Sequence, residues 1–242
     1  MRKKQTNKIS CILIFLFILI LCSLLTGIFW CISNLQNSNV PFQIKSSSTV
    51  SSFTQSNEAE ENWALILVNR DHPLPEDYSF ELIRLDNGEQ VDKRIFPMLQ
   101  KMFDDMRADG VYPIVASGYR TKEAQQQILE DKINEYESEG YSAYEAKEKA
   151  EIWVALPDTS EHQLGLAVDI NADGVHSTGD EVYQWLLKNS YRYGFVKRYP
   201  EDKTEITGII NEPWHYRYVG IKAAEQMTKQ NLCLEEYLEM YQ

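Results

Sequence analysis

Apolar and polar positions divide the chain into three stretches. Residues Ile9 to Ile32 are almost continuously apolar and carry no charge, a run long enough to cross a bilayer as a helix. Residues Ser33 to Asn62 are rich in Ser, Asn, Gln and Thr and have no apolar period, which is the composition of a flexible tether. From Trp63 onward short apolar runs return with the periods of strands and helices. Residues 63–242 are therefore expected to form one domain with its own core.

Within that third stretch, Trp63 to Val68 reads as a buried strand, followed by an extended or turning segment at His72-Pro-Leu-Pro75. Ile95, Leu99, Met102, Phe103 and Met106 share one helical face between Asp92 and Asp109, with Gly110 as the stop and Pro97 in the first turn. Val111 to Ala116 then predicts a strand that delivers Ser117-Gly-Tyr-Arg120 to its end. Thr121 to Ile152 is helical and heavily charged, broken at Gly140, with Ser142 and Glu145 spaced as a capping box for the second piece. Leu164, Leu166, Val168 and Ile170 alternate with Gly165, Ala167 and Asp169, the period of a strand with one apolar face and one face of small residues. Thr178 and Glu181 open a further helix that ends at Gly194. Phe195 to Tyr199 and His215 to Val219 read as strands, and Ile221 to the end as helical.

Charge and cysteines change this picture in two ways. Arg2, Lys3, Lys4 and Lys8 precede the long apolar run and no basic residue directly follows it. This predicts a single-pass anchor at the cell membrane with a cytoplasmic N-terminus and an extracytoplasmic domain, in the scheme 1–32 anchor, 33–62 linker, 63–242 domain. A cleaved signal peptide would have a shorter apolar core ending at small residues, whereas here the run continues through Ile28, Phe29 and Trp30. Beyond residue 32 there are 20 basic against 36 acidic residues, a charge of −16, which argues against a nucleic-acid partner. Cys11, Cys22 and Cys31 lie in the apolar run, leaving Cys233 as the single thiol of the domain. That domain rests on its core, and on any metal it binds, without an internal disulfide.

The candidate chemistry lies in Ser160-Glu-His162-Gln-Leu-Gly165-Leu-Ala167-Val-Asp169 and Glu212-Pro-Trp-His215. A hydrolytic zinc ion takes three side-chain ligands, keeps one position for water, and has a carboxylate nearby as proton acceptor. His162, Asp169 and His215 suit the first role and Glu212 the second. Seven extended residues at about 3.3 Å each would span roughly 23 Å, too far for one ion. The chain must therefore bend between His162 and Asp169, and Gly165 is the natural place. Either histidine alone would be an ordinary hydrogen-bonding residue. The chain has only four histidines, and two of them stand in these segments. Asp169-Ile-Asn171-Ala-Asp173-Gly174, with Ser177 and Asp180, also matches part of a calcium-binding loop. It lacks the closing Glu and follows a strand period rather than a helix.

At these residues the chain resembles the zinc D-Ala-D-Ala carboxypeptidases of the VanY type, relatives of the VanX dipeptidases and of the wider lysostaphin and hedgehog group. Ser160-x-His162-x-x-Gly165-x-Ala167-x-Asp169 and Glu212-x-x-His215 match the family's metal and base motifs in order. Ser117-Gly-Tyr-Arg120 with Gln125 matches its third motif, and the likeness runs from about Trp63 to Met227. The resemblance implies an α+β domain with a small antiparallel sheet around one Zn2+ ion. It also implies a zinc-dependent D,D-carboxypeptidase that removes the last D-alanine from peptidoglycan stem pentapeptides. Arg120 would then hold substrate or the developing oxyanion, which suits a guanidinium fork, with Ser117, Gln125 and Ser160 as polar contacts to substrate. The alternatives are an L,D-carboxypeptidase or D-Ala-D-Ala dipeptidase of the same fold, or a zinc-containing wall-binding module that does not cut. The charged stretch between Arg120 and His162 is longer than in the simplest members, which leaves substrate length open, and Glu212 favours catalysis over the module.

Overall fold

The computed structural model describes residues 62–241. The expected anchor at 9–32, and the tether up to residue 61, lie outside the described residues. Among the described residues no helix is long and apolar enough to cross a membrane.

In chain order the elements are β1 (Leu82–Arg84), β2 (Gln90–Asp92), α1 (Phe96–Ala108), β3 (Pro113–Ser117), α2 (Lys122–Ser138), α3 (Ala143–Trp153), β4 (Ala167–Ala172), α4 (Gly179–Asn189), β5 (Phe195–Lys197), α5 (Thr204–Thr207), β6 (His215–Tyr218), α6 (Ile221–Gln230) and α7 (Leu234–Tyr241). β1 and β2 form a small antiparallel pair. The other four strands form an antiparallel sheet in the order β3-β4-β6-β5. The domain is thus α+β around a small antiparallel sheet.

Alternation along β4 decides the roles of the two faces. Val168 and Ile170 enter the main core with Val115, Leu99, Met102, Met106, Leu186 and Phe195, where each fully buried aliphatic side chain contributes about 1.5–3 kcal/mol. Ala167 and Asp169 point the other way, as their period-2 spacing requires. The helices start where their caps dictate. Thr121 accepts from the Ala124 amide, and complete capping boxes at Ser142/Glu145 and Thr178/Glu181 open α3 and α4.

Three expectations need correction. Trp63 to Val68 is not a strand: a 3-10 turn covers Asn62–Leu65, and the segment continues without sheet pairing. Its side chains are apolar, but the Ala64 and Ile66 carbonyls both accept from Arg217 Nη2 at 2.9 Å, so a guanidinium takes the place of a neighbouring strand. The strand expected from Leu164 begins only at Ala167, because Glu161–Leu164 forms a 3-10 turn capped by Gly165 at φ +70°. A Cβ on Gly165 would stand 2.7 Å from the Phe80 ring, so the bend needs glycine both for its conformation and for space. The helix expected to run to Gly194 ends at Asn189 and tightens into a 3-10 turn over Ser190–Tyr193.

Candidate metal centre

Strand register brings the polar residues of three strands into one row. Asp169 in β4 is paired with Ser117 of β3 on one side and with His215 of β6 on the other, and directly opposed residues share a face. His162 arrives from the 3-10 turn and is tied to the end of β3 by two contacts. Its carbonyl accepts from the Arg120 amide at 3.3 Å, and its Nδ1 lies 2.7 Å from the Gly118 carbonyl. A carbonyl only accepts, so Nδ1 carries the proton and Nε2 offers its lone pair. Glycine at 118 lets β2 pack against this turn, since a Cβ there would fall 2.2 Å from the Gln90 carbonyl oxygen.

Ligand atoms of His162, Asp169 and His215 lie within 4.8 Å of one another, the group of this kind found among the described residues. His162 Nε2 is 3.4 Å from Asp169 Oδ2, and His215 Nδ1 is 3.2 Å from Asp169 Oδ1. Donors about 2.0–2.1 Å from a tetrahedral ion stand about 3.3 Å apart, so these edges fit zinc. The two imidazoles meet at right angles with centroids 4.9 Å apart. Asp169 Oδ1 and His215 Nε2 are buried and have no hydrogen-bond partner among the described residues. A buried carboxylate oxygen without a hydrogen bond is costly, and a cation on that oxygen removes the cost.

The electrostatics agree with a cation site. Burial opposes the charge of Asp169, yet His162 and His215 outweigh it and hold the carboxyl well below the usual range. Burial lowers the pKa of His162 against the pull of Asp169, which favours the neutral, ligating ring. For His215 burial is overcome by Asp169, Glu161 and Glu212, and the pKa rises to about 9. Glu212 is 8% exposed, and its Oε2 lies 3.6 Å from His215 Nδ1. Burial raises its pKa to about 7, with His215 opposing and Asp169 adding.

Arg120 stands beside the same carboxylate. Its Nη2 donates to Asp169 Oδ2 at 2.7 Å, its Nε to Ser117 Oγ at 2.9 Å, and its Nη1 to Gln125 Oε1 at 3.4 Å. Gln125 is itself fixed by donating to the Ala155 carbonyl at 2.8 Å. Ser117 and Gln125 therefore aim the guanidinium. Arg120, Gln125 and Ser160 line a cleft of about 200 Å³ together with the three candidate ligands and Glu212. The charged hairpin of α2 and α3 supplies one wall through Ile128, Lys132 and Trp153, and Tyr199 and Trp214 form part of the rest.

The two remaining histidines lie elsewhere: His72 contacts Asn69 at the surface and His176 pairs with Asp173. Asp173 also accepts from the amides of Val175, His176 and Ser177, so the calcium-like loop closes on itself. Sequence reasoning missed Glu161, whose side chain is fully buried between Arg198 and Arg217. Its position before His162 and the i, i+2 spacing of His215 and Arg217 were visible, but their meeting depends on sheet register.

A buried His-Asp-His cluster with a further carboxylate beside it, on a small antiparallel sheet, is the donor set of a zinc peptidase. Residues 88–221 match the family described as VanY: D-alanyl-D-alanine carboxypeptidase, and the chain belongs to that family. A D-alanyl-D-alanine carboxypeptidase of Enterococcus faecalis (strain ATCC 700802 / V583) is 66% identical over 179 residues, covering 74% of this chain and 67% of the relative. A solved variant of the vancomycin resistance D,D-pentapeptidase VanY, in complex with Zn(II), is 67% identical with a TM-score of 0.72, covering 73% of this chain and 99% of that one. VanYB in complex with D-alanine-D-alanine is 65% identical with a TM-score of 0.74, covering 75% of this chain and all of that one.

Glu212 generates a pH prediction for the metal-free protein. Its pKa is about 7 when folded against an ordinary 4.5, so the folded state holds its proton more tightly. The associated stability is fully present below pH 4.5 and is lost as pH rises through 7, to the extent of about 3 kcal/mol. Denaturant unfolding of metal-free full-length protein should show wild type falling behind Glu212→Gln by that order between pH 4.5 and 8. Parallel pH profiles for the two would show that Glu212 titrates as an exposed carboxyl.

Proposed function

We propose that this chain is a zinc-dependent D,D-carboxypeptidase that removes the C-terminal D-alanine from peptidoglycan stem peptides ending in D-Ala-D-Ala. The observation that carries this reading is the convergence of His162, Asp169 and His215 on one point, with the buried Glu212 carboxylate beside them. In this reading the three residues hold one zinc ion. When bound, the ion polarises the scissile carbonyl and lowers the pKa of a water. Glu212, drawn toward its ionised form beside a divalent cation, accepts a proton from the attacking water and passes it to the leaving amine of D-alanine. Three of the five N–H groups of Arg120 are engaged by Asp169, Ser117 and Gln125. One N–H on each of Nη1 and Nη2 remains to donate to a terminal carboxylate or a developing oxyanion, and Ser160 and Gln125 serve as polar lining for the peptide.

The same reading places the enzyme outside the cell membrane. Residues 9–32 act as its single-pass anchor and 33–62 as a tether, because stem peptides ending in D-Ala-D-Ala are exposed there. The apolar run and the basic residues before it support this arrangement. Protease added to intact cells should remove the domain and leave a short membrane-held fragment; full protection of the domain would refute the orientation.

Mass analysis of products from tripeptide, tetrapeptide and pentapeptide stems tests the chemistry. Only the pentapeptide should lose one alanine, a chelator should abolish the loss, and added zinc should restore it. Cleavage of the tetrapeptide instead would make the enzyme an L,D-carboxypeptidase. Arg120→Ala should lower kcat/KM about 10²- to 10³-fold, as loss of one preorganised donor does, with zinc content unchanged. Lost zinc or lost folding would assign Arg120 a structural role.

A further inference from the structure

Behind His215, on the side of Nε2, lies a group of charges that the chemistry above does not use. Glu161, Arg198 and Arg217 have side chains with no exposure at all. Glu161 Oε1 accepts from Arg198 Nε and from Arg217 Nη1, each at 2.8 Å. Arg198 continues as a fork onto Glu235 of α7, with Nη1 to Oε2 at 2.9 Å and Nη2 to Oε1 at 2.6 Å. Arg217 continues to the Ala64, Ile66 and Tyr218 carbonyls. Burying two cations and two anions carries a desolvation cost that packed apolar residues would avoid.

The two oxygens of Glu161 differ. Oε1 takes both guanidinium donors, whereas Oε2 is buried and has no hydrogen-bond partner among the described residues. Of the polar atoms in the same condition, His215 Nε2 faces it at 3.7 Å. The opposite nitrogen, Nδ1, faces Asp169 and Glu212. A histidine that ligates through Nδ1 must carry its proton on Nε2, and a carboxylate on that proton fixes the ring and its tautomer and strengthens the ligand. His162 shows the mirror arrangement, with its Nδ1 proton on the Gly118 carbonyl and Nε2 toward the cluster.

We propose that Glu161 is a positioning residue for the metal site: its unshared Oε2 accepts the Nε2–H of His215 and holds Nδ1 toward the ion, while Arg198 and Arg217 fix the carboxylate in place. Through Glu235 and the Ala64 and Ile66 carbonyls, the brace joins the metal site to both ends of the domain. The inference rests on the reading of His162, Asp169 and His215 as zinc ligands.

The test uses full-length protein in detergent, with zinc affinity from chelator competition and the histidine tautomers from 15N long-range correlation spectra of the zinc-loaded form. Wild type should show His215 protonated at Nε2 and His162 at Nδ1. Glu161→Gln should weaken zinc binding about 10- to 100-fold while circular dichroism remains native. Where that change leaves the arginines too poorly balanced to fold, the double variant Glu161→Gln with Arg217→Met restores the charge balance and should show the same loss. Arg217→Met alone, which keeps the carboxylate but removes one of its two anchors, should weaken zinc binding less than Glu161→Gln does. Zinc affinity within twofold of wild type in a folded Glu161 variant, or a proton on His215 Nδ1, would overturn the proposal. Wild-type protein that holds no zinc, or holds it equally well after His162→Ala and His215→Ala, would overturn the metal-site reading itself.

Discussion

The buried carboxylate of Asp169 is the constraint around which the domain is arranged. It sits on the middle of a four-stranded sheet, paired across the ladder with Ser117 and His215, where an isolated charge would be strongly disfavoured. Its stability depends on what surrounds it: the Arg120 guanidinium on one oxygen, and two imidazoles within 3.4 Å. The zinc ion of the proposed function would complete that set by serving the oxygen that has no hydrogen-bond partner among the described residues. One electrostatic requirement thereby links the sheet register, the glycine bend at 165 and the strand-end arginine.

The same requirement explains why polar residues around the cleft come in shells. Ser117 and Gln125 contact Arg120, and Gly118 contacts His162. Each holds a side chain that faces the reacting centre, and their own hydrogen bonds to backbone groups, such as Gln125 to the Ala155 carbonyl, remove alternatives of rotamer and tautomer. The charged hairpin of α2 and α3 serves differently. Its outer surface is solvated, but Ile128, Lys132 and Trp153 line the cleft, so one amphipathic hairpin meets water on one side and forms a wall of the site on the other.

Local patterns were the legible part of the fold. Capping boxes at Ser142/Glu145 and Thr178/Glu181, the apolar face of α1 and the alternation around Asp169 each depend on contacts within a few residues. Trp63 to Val68 departs from the expected strand because an apolar run reports burial and not hydrogen-bond partners; its Ala64 and Ile66 carbonyls accept from Arg217, more than 150 positions away. The short β1 and β2 strands gave no period long enough to read.

By itself the sequence determined which residues could hold zinc and which could move a proton, because ligand chemistry admits few side-chain types and the chain offers only four histidines. Tertiary structure decided which nitrogen of each imidazole faces Asp169, which residues aim Arg120, and that Glu161 stands behind His215. These depend on strand register and on burial, where a shift of one residue would turn every side chain to the opposite face, and no local pattern of residues encodes them.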